Sequence, residues 1–183
     1  MPMLDPRSVA NTILDLARDY EIEITQLSLQ KIIYFVHGRY LTEKGHPLVS
    51  GYFEAWRYGP VHPLIYTSFK SHGNKPISGK ATIRDLETGT VEYVSEPQDA
   101  ALRFFIRETA ARYVKMSPGR LVDLSHAPRS PWDKVSYNPD GDRHFGMRIS
   151  NDDIRELFKH HKISVGLKPL IGEPDEESPP TGN

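Results

Sequence analysis

The 183-residue sequence contains no cysteine. Disulfides, thiolate zinc sites, iron–sulfur clusters and cysteine nucleophiles are therefore excluded together. A chain without cysteine suits a reducing compartment, and we expect the cytoplasm. The sequence also lacks an uninterrupted apolar run of the kind that a signal peptide or a bilayer-spanning helix needs, so we expect no membrane contact.

An excess of one charge is also missing, because 23 lysines and arginines stand against 24 aspartates and glutamates. No net field draws such a chain toward nucleic acid. One local basic stretch, carried by Lys70, Lys75, Lys80 and Arg84, is explained at least as well by a solvated loop. Nucleic acid as a partner is therefore left open. The 38% of hydrophobic residues and the length suit one domain around a single core.

Recognised catalytic and metal-binding patterns are absent as well. The eight histidines form no His-Glu-x-x-His pattern, and His160 and His161 would point in different directions on a helix. Asp123, Ser125 and His126 supply the residue types of a hydrolase triad, but neighbouring helix positions diverge by about 100° and do not form a nucleophile–base pair. No glycine-rich phosphate loop occurs. We therefore expect neither an enzyme nor a cofactor.

Hydrophobic spacing and helix-start signals predict a mainly helical (α+β) protein, a single-domain helical bundle with a short strand and a small β-hairpin. A first helix is expected over Pro6–Tyr20, capped by Asp5. A second helix is expected from Thr25 or Ser28 to Gly45. This second helix has apolar residues on all sides, as a central core helix would have.

The remainder of the chain is predicted to alternate short strands and helices. A strand is expected over Tyr52–Arg57, and Tyr58–Pro60 breaks it. The later predicted elements are a helix from Pro63 to Gly73, a hairpin of Ala81–Leu86 with Thr90–Val94, a long helix after Ser95 and Pro97, a short helix after Ser117-Pro118, a turn at Pro131-Trp132, a loop over Tyr137–Gly146 and a last helix after Ser150. Residues 1–161 are expected to form the domain, and residues 162–183, rich in proline and acidic residues, a flexible tail.

The polar residues of the second helix are the first candidate site residues. Gln30 and His37 lie on one stripe with Tyr34. The favoured interpretation is that they are buried polar groups satisfied by the backbone, because buried polar atoms usually find such partners. The alternative interpretation is that they line a pocket.

A second candidate surface is the aromatic stretch before a Gly-Pro turn. Trp56, Arg57 and Tyr58 are residue types enriched at binding hot spots, and Gly59-Pro60 can present them. Large aromatic residues also dominate protein cores, so Trp56 and Trp132 fit a core as well as an interface.

Several motifs of the sequence fit one known pattern. They are the run Leu29–Gly38, the segment Gly45–Leu48, the block Phe53–Val61, the segment Leu121–His126 and the turn Ser130–Trp132. These motifs, which extend over about Thr25 to Val135, resemble the Panacea domain family, with its SocA-like antitoxins and GepA-type phage-associated proteins of bacteria. His62 departs from the apolar residue that the family pattern has at this position.

The resemblance implies an antitoxin that neutralises a cognate toxin protein by direct binding, without catalysis. A linked role that it implies is delivery of the toxin to an ATP-dependent protease, with the tail as a tether. The candidate partner-binding residues are Gln30, Tyr34, His37, Trp56, Arg57, Tyr58, Gly59, Pro60, His126 and Trp132. Two alternatives stay open: a nucleic-acid-binding or phage-associated regulator, and an enzyme with a site at His37 and His126.

Overall fold

The computed structural model describes residues 3–158, so the predicted tail over residues 162–183 and the boundary before it lie outside the described residues. Within this part the chain is mainly helical, with two small antiparallel sheets, which confirms the predicted class. In chain order the elements are α1 (Pro6–Asp19), α2 (Gln26–Lys44), β1 (Phe53–Trp56), β2 (Gly59–Val61), α3 (Pro63–Phe69), a 3-10 turn (Lys70–His72), β3 (Thr82–Arg84), β4 (Val91–Tyr93), α4 (Ala100–Ala110), α5 (Pro118–Ser125), α6 (Pro131–Ser136), β5 (Met147–Ile149) and α7 (Asn151–Phe158).

Three helices begin at a capping residue followed by proline. The pairs are Asp5-Pro6, Ser117-Pro118 and Ser130-Pro131. In each pair the side-chain oxygen of the first residue accepts a backbone N–H of the first helical turn, at 2.8, 3.3 and 3.1 Å respectively. Proline lacks an N–H and has a preset φ, so it suits the position after the cap. These local signals explain why the predicted starts of α1 and α5 are confirmed, whereas the turn predicted at Pro131-Trp132 is the first turn of α6.

Helix α2 runs through the middle of the molecule. It packs against α1, α3, α4, α5, α7 and β2. Side chains on every side of it are buried, and Leu29, Ile33 and Phe35 are completely inaccessible. The prediction of a central core helix is therefore confirmed. None of the helices in residues 3–158, α2 included, has the length and the hydropathy to cross a bilayer.

Strand β1 is the middle strand of a three-stranded antiparallel sheet in the order β2–β1–β5. The sequence predicted one strand and a breaking turn, but Gly59–Val61 folds back as β2, with Gly59 opposite Trp56 and Val61 opposite Glu54. Pro60 is tolerated there because β2 is an edge strand, where a missing N–H removes no interior ladder bond. Strand β5 was not predicted, since three residues are too few to establish an alternating pattern.

The predicted hairpin is confirmed as β3 and β4, with Thr82 opposite Tyr93. Its residues are exposed, so the hairpin depends on an anchor at its base. Asn11, which is 0% exposed, supplies this anchor. Its side-chain amide donates to the carbonyl oxygens of Ala81 and Val94, at 3.1 and 2.8 Å, and its Oδ1 accepts the N–H of Ala81 at 2.7 Å.

Helix α4 differs from its prediction at both ends. It begins at Ala100 rather than near Pro97, because Asp99 caps it by accepting the N–H groups of Ala101 and Leu102. It ends at Ala110, and Tyr113 in the turn that follows is also buried. The buried residues of this segment therefore continue beyond the end of the helix.

Candidate functional site

The tip of the hairpin between β1 and β2 is formed by two residues, Arg57 and Tyr58, because Trp56 and Gly59 still pair across it. Arg57 is exposed and Tyr58 is half-buried. The Arg57 guanidinium lies 5.7 Å from the centroid of the Tyr58 ring, within the range of a cation–π contact. The chain reverses at Gly59, whose φ of 101° is a conformation that glycine adopts without steric cost.

Two buried side chains hold the backbone beneath this tip. The indole Nε1 of Trp132 donates to the carbonyl oxygen of Trp56 at 2.8 Å, and Nζ of Lys31 donates to the carbonyl oxygen of Pro60 at 3.0 Å. Trp132 is 3% exposed and Lys31 is 0% exposed, so both bonds are shielded from water. Hydrogen bonds in a medium of low dielectric are stronger than those in water. The hairpin therefore presents Arg57 and Tyr58 on a rigidly held backbone.

Lys31 is the main feature that the sequence pattern did not single out. Lysine is seldom fully buried, because removing its charge from water is costly unless the charge is bonded. Here the side chain passes directly beneath Gly59: a Cβ added to Gly59 would lie 2.8 Å from Cε and 3.3 Å from Nζ of Lys31. The available signal was the position of Lys31 in a helix that has apolar residues on all sides.

A small cavity of about 20 Å³ lies close beneath the surface beside Tyr58. It lies between the first turns of α2, the hairpin and α3, and its walls include Trp56, Tyr66 and Val61. The rings of Trp56 and Tyr66 meet at 4.9 Å between centroids. Tyr66, like Tyr58, is half-buried. A volume of this size admits one water molecule or the tip of a polar side chain.

Gln26 and Gln30, one helical turn apart, both line this cavity. Gln30 is paired with the backbone of His62: its Oε1 accepts the N–H at 2.8 Å and its Nε2 donates to the carbonyl oxygen at 3.4 Å. Gln26 is 0% exposed, and both polar atoms of its side chain are without a hydrogen-bond partner among residues 3–158. Leaving a buried polar group unpaired costs roughly 1–3 kcal/mol. The pairing of Gln30 with the backbone of His62 agrees with the interpretation of Gln30 as a buried polar group satisfied by the backbone. The position of Gln30 on the cavity wall agrees with the alternative, that it lines a pocket.

Tyr34 lies deeper in the core than this cavity and is not one of its lining residues. Its ring makes edge contacts with Phe53 and Phe158, at 5.4 and 5.8 Å between centroids. The Tyr34 hydroxyl is buried without a hydrogen-bond partner in the described part of the chain, and burial raises its pKa. Tyr34 therefore packs like a core residue.

His37 is held as a neutral imidazole inside the fold. Its Nδ1 accepts the N–H of Val49 at 3.4 Å, which leaves Nε2 to donate to Oδ1 of Asn151 at 3.0 Å. Burial lowers the pKa of His37 to about 4, because the charged form is poorly solvated there. The hydrogen bond to Asn151 joins α2 to α7, and His37 does not line the cavity.

Acid is expected to destabilise the fold as the pH falls from about 6.5 toward 4. An unfolded chain binds a proton at His37 near its ordinary pKa of 6.5, whereas the folded chain binds it only near 4. The contribution of His37 to the free energy of unfolding is therefore fully present above this window and falls by up to ~1.4 kcal/mol per pH unit within it. Urea unfolding of the wild type and of His37→Gln across the window measures the slope. If the free energy of unfolding of His37→Gln has the same slope against pH as that of the wild type, His37 is not the group responsible.

His126 lies on the other side of the hairpin and stacks on Trp132, with 3.7 Å between ring centroids and 15° between planes. Burial, and then the positive charges of Lys31 and Arg143, lower its pKa to about 3. The hydroxyl of Ser125 donates to the carbonyl oxygen of Val122, and no hydrogen bond joins Ser125 to His126 in residues 3–158. The structure therefore does not assemble the triad that the residue types alone offered.

The ten predicted site residues thus fall into three groups. Arg57 and Tyr58 form the exposed tip. Six residues lie buried or half-buried behind it: Gln30 and Trp56 line the cavity, and Gly59, Pro60, His126 and Trp132 do not. Tyr34 and His37 are core residues outside the cavity wall. A contact between any of the ten and a partner stays a prediction.

Comparison with known proteins places this site in a family context. The profile of the family described as antitoxin SocA-like, Panacea domain, matches residues 29–133, which contain Lys31, the hairpin tip and Trp132. Antitoxin SocA of Caulobacter vibrioides (strain NA1000 / CB15N) is 41% identical over 178 residues, covering 97% of this chain and 95% of that protein. No solved structure gave a significant match. The chain belongs to the Panacea-domain family of SocA-like antitoxins.

Proposed function

We propose that this chain is an antitoxin that neutralises a cognate toxin protein by direct binding. The observation that carries the proposal is the 41% identity to antitoxin SocA along 97% of the chain. The geometry of the hairpin supports the binding step, since a rigidly held tip loses little conformational freedom when it meets a partner. We therefore take the hairpin tip and the cavity beside it as the toxin-binding surface.

Within this surface the residues have different roles. Arg57 and Tyr58 touch the toxin, because they are the accessible residues of the tip. Trp56 and Trp132, which are 4% and 3% exposed, shape the tip from below. Both accessible side chains are of types that dominate measured binding hot spots. The surface is small, and further contacts with the toxin come from residues around it.

A growth assay tests the proposed role. Expression of the neighbouring reading frame alone is expected to arrest growth, and expression together with this chain is expected to restore it, because the bound toxin cannot act. A frame-shifted copy of the antitoxin gene serves as the control for effects of its transcript. A neighbouring product that is harmless, or toxicity that this chain leaves unchanged, would overturn the proposal.

Two finer points belong to the same proposal. The complex forms in the cytoplasm, the reducing compartment that a cysteine-free chain suits. Binding also delivers the toxin to an ATP-dependent protease, with residues 162–183, which lie outside the described residues, as the tether. Toxin turnover that persists after deletion of residues 171–183 would remove the tether from this proposal.

A further inference from the structure

We propose that the cavity beside Tyr58 is a subsite that receives a carboxamide side chain, asparagine or glutamine, of the toxin, and that Gln26 recognises it. The proposal rests on the proposed antitoxin function and adds the chemistry of the partner group. The structural observations that carry it are the cavity itself and the buried, unpaired side-chain amide of Gln26, a residue that none of the sequence patterns singled out.

The state of Gln26 is the first observation. Its side chain is 0% exposed, lines the cavity, and offers one buried donor and one buried acceptor that nothing in residues 3–158 satisfies. A fold gains nothing from such a group, since an apolar side chain of the same shape would avoid the loss of hydrogen bonds to water. The unpaired amide gains its bonds when a partner brings the complementary pair of atoms.

The chemistry of the occupant follows from the two unpaired atoms. Nε2 of Gln26 needs an acceptor and Oε1 needs a donor, and a carboxamide supplies both from one planar group. Gln30, four residues along α2, already makes such a reciprocal pair with the N–H and carbonyl of His62. A carboxylate has no donor, and an ammonium has no acceptor. A hydroxyl has its donor and its acceptor on one atom, whereas a carboxamide places them on two atoms spaced like those of Gln26, so a carboxamide is the side chain that pairs with both atoms at once.

The walls of the cavity favour the same occupant. The volume of about 20 Å³ exceeds the roughly 10–15 Å³ that one water molecule needs, so it suits a small terminal group. Trp56, Val61 and Tyr66 give apolar contacts for the methylene groups behind the tip. Lys31, also on the wall, places a positive charge that favours the carbonyl oxygen of the carboxamide and opposes the guanidinium or ammonium of a basic residue.

Gln26→Met, assayed in the full chain with the co-purified toxin, tests the subsite. Methionine keeps nearly the same shape and removes the unpaired amide, so toxin affinity is expected to fall by about 10- to 100-fold. The Tm of the free protein is expected to stay level or rise. Gln30→Met is the matched control, and its Tm is expected to fall, because it leaves the backbone of His62 unpaired.

Two results would overturn the subsite. One is wild-type toxin affinity in Gln26→Met. The other is a Tm of Gln26→Met that falls as far as that of Gln30→Met, because Gln26 would then serve the fold through a resident water. A wild-type chain that binds no toxin would instead refute the proposed function.

A titration of the free protein with propionamide decides the subsite without the toxin. The side-chain amide resonances of Gln26 are expected to shift saturably with propionamide and to stay in place with propionate. In Gln26→Met, propionamide is expected to leave the resonances of the residues around the cavity unchanged. Equal responses to the two compounds, or no response to propionamide, would show that the cavity does not select a carboxamide.

Discussion

Gly59→Ala is expected to lower the free energy of unfolding by about 3 kcal/mol or more, a large part of the roughly 5–15 kcal/mol by which ordinary proteins are stable. The φ of 101° at Gly59 is strained for any residue that carries a Cβ. The added Cβ would also lie 2.4 Å from Oγ of Ser125 and 2.8 Å from Cε of Lys31. Both neighbours are buried, so neither side chain can swing into solvent.

The packing around Gly59 explains why the strain would spread. Ser125 belongs to α5 and is held by its bond to the carbonyl of Val122, and Lys31 belongs to α2 and is held by its bond to Pro60. A shift of either side chain breaks a buried hydrogen bond, which costs more than an exposed one. The substitution therefore disturbs the junction of α2, α5 and the hairpin together.

Gly141→Ala is the matched control, because Gly141 has the same φ of 101° but no atom within 4 Å of an added Cβ. It isolates the backbone strain, which is of order 1–3 kcal/mol. Urea unfolding of both variants gives the difference, which measures the steric contribution at Gly59. Equal losses in the two variants would contradict the close packing of Lys31 and Ser125 against the hairpin.

The second large effect is expected on toxin binding. The double variant Arg57→Ala/Tyr58→Ala should weaken the complex by about 100-fold or more, as the loss of hot-spot side chains does in other interfaces. The Tm of the free protein should change little, because Arg57 is exposed and Tyr58 is half-buried. Titration calorimetry and thermal unfolding measure the two quantities separately.

Arg84→Ala is the charge-matched control for this variant, since Arg84 is an exposed arginine on the separate hairpin of β3 and β4. It should keep wild-type affinity. Unchanged binding by the double variant would exclude the β1–β2 tip from the interface. Unfolding of the double variant would show instead that the tip belongs to the scaffold.

The parts of the fold that the sequence predicted are those with local signals. Helices α1 and α5 begin at a capping residue and a proline, whose effect does not depend on the rest of the chain. The apolar residues on every side of α2 likewise predicted a central helix that packs against other elements on all of its faces. These features depend on short stretches of sequence, so they can be recognised before the fold is known.

The parts that were missed depend on pairing between distant segments. Gly59-Pro60 carries a strong turn signal, and only its register with β1 makes it a strand. Strand β5 exists because residues 147–149 reach the free edge of β1 from far along the chain. Short segments of this kind have no periodicity of their own, so tertiary context decides their structure.

At the candidate site, too, the sequence did not predict the features that depend on tertiary packing. The sequence left Trp56 and Trp132 open between core and interface, and packing places both inside, beneath the two residues of the tip. Lys31 and Gln26 have polar side chains that on most helices face solvent, and only the complete fold shows that both are buried at one cavity. Residue type predicted a binding surface at the hairpin, and the packing shows which of its residues are buried and which are accessible.

Direct binding is the central claim, and co-purification followed by titration calorimetry tests it most directly. The tagged chain is expressed with the product of the neighbouring reading frame, and the two purified proteins are then titrated against each other. The account predicts a complex that survives gel filtration, with a Kd of roughly 1 μM or tighter. Separate elution of the two proteins and no heat of binding, in a pair that still rescues growth, would contradict it.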